Sequence, residues 1–211
     1  MNVSTNDYMR IVERIDKISG SYHGTVIFND WVEMTALAFS NFPEVNPKIY
    51  NQREKRYLEL AEKHKSHIED FAEMTAFLAE CFETELDDYL GKIYMQLDAG
   101  NSKTGQFFTP FHISEMVAKA VTDEADDVIT LNEPSCGGGA MIIAVAKALN
   151  EKGINYQQKL RVIAQDLSVN SCYMCYVQMS MLGINGMVIQ GDTLAMKEPR
   201  PDQIYRTIFW R

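Results

Sequence analysis

Residues 130–149 of the chain read TLNEPSCGGGAMIIAVAKAL, and three glycines there separate an apolar segment from a helical pattern. Consecutive glycines tolerate left-handed backbone and let a ligand come close to the main chain. The residues before the glycines predict a buried strand, and those from Ala140 onward predict a helix. A strand, a glycine turn and a helix in this order are typical of the ligand-binding edge of a parallel sheet.

The same alternation continues on both sides of the glycine turn. A helical segment, HISEMVAKAV, precedes the strand DVITLNE, and after the turn come a strand LRVIAQD, a helix SVNSCYMCYVQMSMLG and a short strand MVIQGD. Strands that alternate with helices predict βαβ units and a parallel sheet flanked by helices, which is an α/β fold. We expect a fourth strand from Gln203 to Trp210.

The first hundred residues have a different pattern. Phe28 to Phe42 and Arg53 to Leu97 show helical spacing of apolar residues, and the second stretch is long enough for two or three helices. Small and polar residues from Asp98 to Gly105 are typical of a connecting loop. The sequence therefore predicts a helical N-terminal domain at 1–98, a linker at 99–104 and a ligand-binding domain at 105–211.

Composition and charge exclude several classes of protein. The chain has 211 residues, 46% of them hydrophobic, and a net charge of −9. Residues 1–100 contain 10 Lys and Arg against 18 Asp and Glu, which argues against tight binding of DNA by this chain alone. No apolar run reaches the length of a membrane helix, and the first residues do not resemble a signal peptide. We therefore expect a cytoplasmic protein without a membrane partner.

Acidic residues follow three of the predicted strands. Glu133 precedes the glycines, Asp166 ends the second strand and Asp192 follows the third. Glu133 would repel a pyrophosphate but could hold an ammonium or a ribose hydroxyl, Asp166 could take ribose hydroxyls, and Asp192 could accept from an exocyclic amine. The dinucleotide-binding pattern G-x-G-x-x-G would place a glycine at position 142, where this chain has Ile142. This weak match, together with the acids, favours an uncharged or cationic nucleoside as the ligand. Each acid could instead be a helix N-cap.

Four segments occur in the order found in one enzyme family: GQFFTP at 105–110, NEPSCGGG at 132–139, Asp166, and GDTL at 191–194. In these segments the chain resembles S-adenosylmethionine-dependent DNA methyltransferases of the N6-adenine class, the modification subunits of type I restriction systems. Gly138 stands where that family usually has Ser or Thr. The helical stretch DDYLGKIYMQL also resembles the end of that family's N-terminal helical domain.

The resemblance implies a Rossmann-like methyltransferase fold and S-adenosyl-L-methionine as the cofactor. GQFFTP would lie over the methionine end of the cofactor, Glu133 would attract its ammonium, and GDTL would lie beside its adenine. The cofactor-binding residues that it implies are Gln106, Phe107, Phe108, Thr109, Pro110, Glu133, Pro134, Ser135, Cys136, Gly137, Gly139, Asp166, Leu167, Asp192, Thr193 and Leu194.

Catalysis in that family depends on a tetrapeptide, Asn or Asp followed by two prolines and an aromatic residue, at the end of the fourth strand. No such tetrapeptide occurs in the 211 residues, so we identify no catalytic residue. We expect the chain to be inactive alone and to meet DNA only within a larger assembly, with specificity or other restriction-modification subunits as partners. The alternatives are a non-enzymatic methyltransferase-like interaction protein or decoy and, less favoured by the motifs, a nicotinamide oxidoreductase.

Two further groups of residues carry the chemistry of metal or redox sites. Cys172 and Cys175 form a C-x-x-C pair, but they lie in an apolar helical pattern without a second pair, which favours buried thiols over a metal site. His64 and His67 lie in a charged stretch, which favours a solvated surface. We therefore expect no metal centre.

Overall fold

The computed structural model describes residues 8–20, 23–98, 108–122 and 128–210. The chain divides into two compact units. The first, here the helical unit, comprises Met1–Glu85 and Tyr89–Phe107, and the second, the sheet unit, comprises Leu86–Asp88 and Phe108–Arg211. Each unit has its own set of buried apolar side chains. The predicted loop from Asp98 to Gly105 lies almost wholly outside the described residues.

Five helices form the described part of the helical unit: α1 Met9–Ser19, α2 Gly24–Asn41, α3 Pro47–Lys63, α4 Ile68–Thr84 and α5 Tyr89–Asp98. The second predicted stretch contains three of them, as its length suggested. Asn46 caps α3 by accepting a hydrogen bond from the backbone N–H of Lys48, and Pro47 occupies the first helical position, where its missing N–H costs nothing. The core is apolar and centres on Phe28 and Trp31 of α2.

His64 contradicts the prediction of a solvated surface. Its side chain is only 3% exposed, and its Nε2 lies 2.7 Å from Oδ2 of Asp30. The ring also packs against Phe71 of α4 at a centroid distance of 5.1 Å. The charged sequence around His64 misled the prediction, because Lys63 Nζ and His64 both bind the carboxylate of Asp30. The hydrogen bond to Asp30 lowers the cost of burying the imidazole.

Four strands and four helices form most of the sheet unit. In chain order they are α6 Phe111–Thr122, β1 Ile129–Glu133, α7 Ala140–Glu151, α8 Tyr156–Lys159, β2 Leu160–Asp166, α9 Val169–Met181, β3 Asn185–Gln190 and β4 Ile204–Arg206. Two short 3-10 turns, Thr193–Ala195 and Pro201–Gln203, lie between β3 and β4. The sequence predicted α6, α7, α9 and the first three strands at nearly these positions.

The strands form one mixed sheet in the order β1-β2-β3-β4. β1, β2 and β3 are parallel, with Glu133 opposite Ala164 and Asp166 opposite Gln190. The prediction of a parallel sheet flanked by helices is correct for these strands. Their carboxyl ends therefore lie along one edge of the sheet, and the ends of β1 and β2 carry Glu133 and Asp166.

The predicted fourth strand is wrong in extent and does not continue the parallel sheet. β4 has three residues and runs antiparallel to β3, with Ile204 opposite Ile189 and Arg206 opposite Met187. The connection from β3 contains only two 3-10 turns and no crossover helix, so the chain returns along the strand it has just left. Thr207, directly after β4, connects the chain to the residue before β3, because its Oγ1 donates a hydrogen bond to the carbonyl of Ile184 at 2.9 Å.

Helix α9 is buried over most of its length. Its residues from Ser171 to Met179 are all buried, as expected for a Met-rich core helix. Gly186 of β3 makes this packing possible, because a Cβ there would lie 2.8 Å from the carbonyl oxygen of Val162 and would also collide with Met179. Among the described residues, no helix is long and apolar enough to span a membrane.

Candidate functional site at the carboxyl ends of the strands

The glycine turn between β1 and α7 is held by one backbone hydrogen bond to the end of β2 and by another within the turn. Cys136 N–H donates to the carbonyl of Gln165 at 2.9 Å, and Gly139 N–H donates to the carbonyl of Cys136 at 2.8 Å. Gly137 and Gly139 have φ values of +51° and +103°, a region that favours glycine. Gly137 and Gly139 are therefore required by the backbone of this turn.

Asp166 connects the glycine turn to the helix after β2. Its Oδ2 accepts from Gly137 N–H at 2.9 Å, and its Oδ1 accepts from Ser168 N–H at 2.8 Å. Ser168 in turn caps α9 through Ser171 N–H. A carboxylate has about four lone-pair sites, so Asp166 keeps acceptor capacity for a ligand after binding both amides.

Glu133 lies beside the same turn and is half-buried. Its Oε1 accepts from Ser135 N–H at 3.3 Å. Burial raises the pKa of Glu133, the Ser135 N–H opposes that shift, and the negative charge of Asp166 adds to it. Among the described residues neither Glu133 nor Asp166 forms an ion pair. Two interacting carboxylates without a cationic partner in the described part of the chain favour a cationic or hydrogen-bond-donating ligand.

The segment after β3 completes this edge. Gly191 N–H donates to the carbonyl of Asp166 at 2.9 Å, and Thr193 Oγ1 donates to the carbonyl of Pro134 at 2.6 Å. Asp192 is exposed and caps the first 3-10 turn through Leu194 N–H at 3.0 Å. The N-cap alternative thus describes Asp192 well, and no hydrogen bond to its second oxygen is seen in the described part of the chain.

Two apolar side chains at this edge face solvent. Leu167, directly after Asp166, is 69% exposed, and Leu194, directly after Thr193, is 92% exposed. Exposed aliphatic side chains beside carboxylates provide apolar surface that the flat face of a ligand can cover. Their exposure fits residues that a nucleoside would contact.

Phe108 lies against the glycine turn. A Cβ on Gly137 would be only 3.0 Å from Cδ1 of the Phe108 ring. Thr109 and Pro110 are exposed, and the Pro110 carbonyl begins α6 by accepting from Ile113 N–H at 2.9 Å. The predicted residues Gln106 and Phe107 lie outside the described residues. The structure therefore brings Phe108 to the turn.

Beneath the turn, a buried amide links residues far apart in the chain. Gln178 Nε2 donates to the carbonyl of Gly138 and to Oδ1 of Asp88, both at 2.8 Å. Gln178 is fully buried and Asp88 nearly so. Sequence reasoning missed both residues, although a single glutamine in an apolar helix and an acid pair before α5 were visible signals. The geometry gives them a role in holding the middle glycine of the turn.

None of the four cysteines forms a disulfide bond, and all four are described and buried. The prediction that Cys172 and Cys175 are buried thiols is confirmed. Burial raises the pKa of Cys172, and a hydrogen bond with Cys136 together with burial holds the pKa of Cys175 well above its ordinary value. Within the described ranges, no group of three or more His, Cys, Asp or Glu residues could hold a metal ion.

Comparison with known proteins agrees with the motifs at this edge. A family model described as N-6 DNA Methylase matches residues 85–208, which is more than half of the chain. The chain belongs to this family. The match covers Asp88, the glycine turn and all three acids, so each described element of the candidate site lies inside it.

One curated relative of this chain is the type I restriction enzyme MpnII methylase subunit of Mycoplasma pneumoniae. It is 28% identical over 144 residues, which cover 67% of this chain and 23% of the relative. The chain thus matches less than a quarter of that relative's length. The resemblance to type I methylase subunits, inferred from the motifs, is confirmed.

Two solved structures are also similar. One is the crystal structure of the type I restriction-modification system methyltransferase subunit from Streptococcus thermophilus, with a TM-score of 0.40, 20% identity, and coverage of 91% of this chain and 40% of that one. The other is a cryo-electron microscopy structure of a DrdV–DNA complex, with a TM-score of 0.40 and 15% identity. That match covers 85% of this chain and 21% of the other. Because both TM-scores are only 0.40, the family assignment of this chain depends on sequence.

Proposed function

We propose that this chain is the S-adenosylmethionine-binding portion of a DNA adenine-N6 methyltransferase of a restriction-modification system. The observation that carries the proposal is the convergence of Glu133, Asp166 and the glycine turn at one edge of the sheet, with Phe108 against Gly137. Membership of the N-6 DNA methylase family supports the same ligand.

The residues at this edge fit the charge of that ligand. The methionine part of S-adenosylmethionine has an ammonium group and the sulfonium adds a positive charge, whereas Glu133 and Asp166 lack a cationic partner among the described residues. A pyrophosphate would meet two carboxylates and be repelled. In this proposal Glu133 holds the ammonium, Asp166 accepts from the ribose hydroxyls, and Asp192 accepts from the adenine amine.

Apolar surface and backbone complete the proposed binding site. The Phe108 ring and the exposed Leu167 and Leu194 side chains would exclude water from the nucleoside, and the glycine turn would pass beneath it. When bound, S-adenosylmethionine supplies an electrophilic methyl group. The chain's own residues would bind and orient this group, and the 211 residues contain no Asn or Asp, Pro, Pro, aromatic tetrapeptide that would orient a target adenine.

The binding test is isothermal titration of the whole chain with S-adenosylmethionine, with NAD as the control ligand. We expect saturable binding of S-adenosylmethionine only, weakened at least about tenfold by Asp166→Ala, since that variant loses a charged acceptor. Asp202→Ala, which removes an acid outside the site, should bind like the wild type. Binding of NAD instead, or equal binding by both variants, would overturn the proposal.

Catalytic competence is tested separately. Because the tetrapeptide that would hold the target amine is absent, we propose that the chain alone transfers no methyl group, and that DNA is contacted only in a larger restriction-modification assembly. Incubation with labelled S-adenosylmethionine and duplex DNA should leave the DNA unlabelled. Incorporation above that of a Gly139→Asp variant would show that the chain is a complete enzyme.

A further inference from the structure

A cavity in the helical unit lies outside the region matched by the family model. It has a volume of about 370 Å³ and lies between the end of α2 and the first half of α3, lined by Ala38, Asn41, Phe42, Tyr50, Glu54 and Tyr57. This volume is at the lower end of the range for ligand sites in proteins. The cavity could therefore hold a single side chain.

One hydrogen-bond acceptor in the cavity wall is unsatisfied. Asn41 is only 8% exposed, and its Nδ2 donates to the Tyr50 carbonyl at 3.3 Å and to Glu54 Oε2 at 3.2 Å. Its buried Oδ1 has no partner among the described residues. Rotating the amide would place Oδ1 against two acceptors, so the orientation is fixed. The Asn41 amide therefore orients the carboxylate of Glu54, which lines the cavity, and only a donor could satisfy Oδ1.

Glu54 adds an uncompensated negative charge. Apart from the Asn41 amide, no described group binds its carboxylate, and the neighbouring Arg53 is occupied by the Ser40 carbonyl and by Glu44, both at 3.2 Å. The surrounding sequence is also acidic, with 10 Lys and Arg against 18 Asp and Glu in residues 1–100. This charge attracts a cation and repels nucleic acid phosphates.

Aromatic rings complete the wall. Phe42 is 85% exposed although it is a large apolar residue, and Tyr50 is 41% exposed. Phe42, Tyr50 and Tyr57 all line the cavity that contains Glu54. An exposed aromatic face beside a carboxylate is the combination that binds planar cations, because ring and carboxylate both favour positive charge.

We propose that this cavity binds the guanidinium group of an arginine side chain presented by a partner protein. The guanidinium is planar, always charged and has five donors, so it can reach the Glu54 carboxylate while it stacks on a ring. A lysine ammonium is a more strongly hydrated point charge and does not stack in this way. The proposal is independent of S-adenosylmethionine binding, since the cavity lies wholly in the helical unit.

The test is an NMR titration of the whole chain with Nα-acetyl-arginine amide, and with the matching lysine derivative and adenosine as controls. We expect saturable shifts of backbone amides in residues 38–57 with the arginine derivative, and binding weaker by about tenfold or more with lysine. Equal binding of the lysine derivative, preferential binding of adenosine, or no saturable shift with arginine would overturn the proposal.

Two variants and one control locate the site. Glu54→Gln should weaken arginine binding about tenfold because it removes the charge but keeps an acceptor. Phe42→Ala should also weaken it, and this exposed side chain is not required for folding. Glu62→Gln is the control, since Glu62 lies on α3 and its one ion pair within the described residues is with Lys65 at the surface. If Glu62→Gln weakened binding as much as Glu54→Gln, a general charge effect would replace the proposed site.

Discussion

The backbone N–H of Gly137 donates to Oδ2 of Asp166 across 2.9 Å, so the turn after β1 is fixed by the side chain that ends β2. The other oxygen of Asp166 accepts from Ser168 N–H at the start of the next helix. The sequence offered Asp166 as a ligand acceptor or as a helix N-cap, and the structure shows that its carboxylate also shapes the glycine turn. Substitution of Asp166 should affect stability and binding together.

Asp166→Asn should lower the free energy of unfolding by about 1.5–3 kcal/mol, the usual contribution of a hydrogen bond to a charged group. The asparagine keeps one acceptor oxygen, but its NH₂ group then faces one of the two backbone N–H donors that Asp166 binds, Gly137 or Ser168. Urea denaturation of the variant and of Asp202→Asn measures the difference. Equal stability of the two variants would show that the Gly137 contact contributes nothing.

Gly137→Ala should be less stable than the wild type and should bind S-adenosylmethionine more weakly. Left-handed backbone costs a residue with a Cβ about 1–2 kcal/mol, and the new methyl group would also press on Phe108. Gly153→Ala is the matched control, since Gly153 has φ +74° but nothing within 4 Å of its added Cβ. Thermal unfolding and titration should show that only Gly137→Ala loses affinity.

Gln178→Leu should destabilise the chain by about 1–3 kcal/mol, because it leaves the Gly138 carbonyl and Asp88 without their shared donor in a buried place. We also expect weaker S-adenosylmethionine binding, since the middle glycine of the turn loses its support. Ser180→Ala on the same helix removes a buried hydroxyl that has no partner among the described residues and should be neutral or stabilising. Chemical denaturation of both variants tests the contrast.

Glu133 should make stability depend on pH in an unusual direction. Burial raises its pKa above the ordinary 4.5, with the Asp166 charge adding to the shift, so the folded chain holds a proton there more readily than the unfolded chain. The stability that the protonated Glu133 contributes is fully present below pH 4.5 and is lost as the pH rises through the raised pKa of Glu133.

Glu133→Gln, which stays neutral, should therefore be more stable than the wild type at neutral pH and equal to it at low pH. The same variant should bind S-adenosylmethionine more weakly, because the proposed partner of the ammonium has lost its charge. Thermal unfolding from low to neutral pH measures the difference in stability between Glu133→Gln and the wild type, with Glu198→Gln at an exposed position as the control. A wild type more stable than Glu133→Gln at neutral pH would contradict the sign.

Regular local patterns made much of the sheet unit predictable. The period of apolar residues located α7 and β2, and the glycines marked the turn, because both signals lie within short windows. β4 was mispredicted, since its direction depends on the path of the preceding connection rather than on its own residues. Its apolar pattern is the same for either direction.

Contacts between distant residues were not predictable. Gln178 and Asp88 are 90 positions apart, and the sequence around each residue gives no sign of its contact with the other. His64 was misjudged for the same reason, since its partner Asp30 lies 34 positions earlier. The motifs located the acids at the strand ends, but the backbone amides that Asp166 binds follow only from the folded turn.

The buried thiols make the wild-type chain a ready background for site-specific labelling. Thiol reagents react with the exposed thiolate, and here every native cysteine is buried, while the pKa values of Cys172 and Cys175 are raised. A single cysteine introduced at an exposed position such as Val45, beside the arginine-binding cavity proposed above, would be modified selectively. A fluorophore attached there would report on partner binding without removal of any native cysteine.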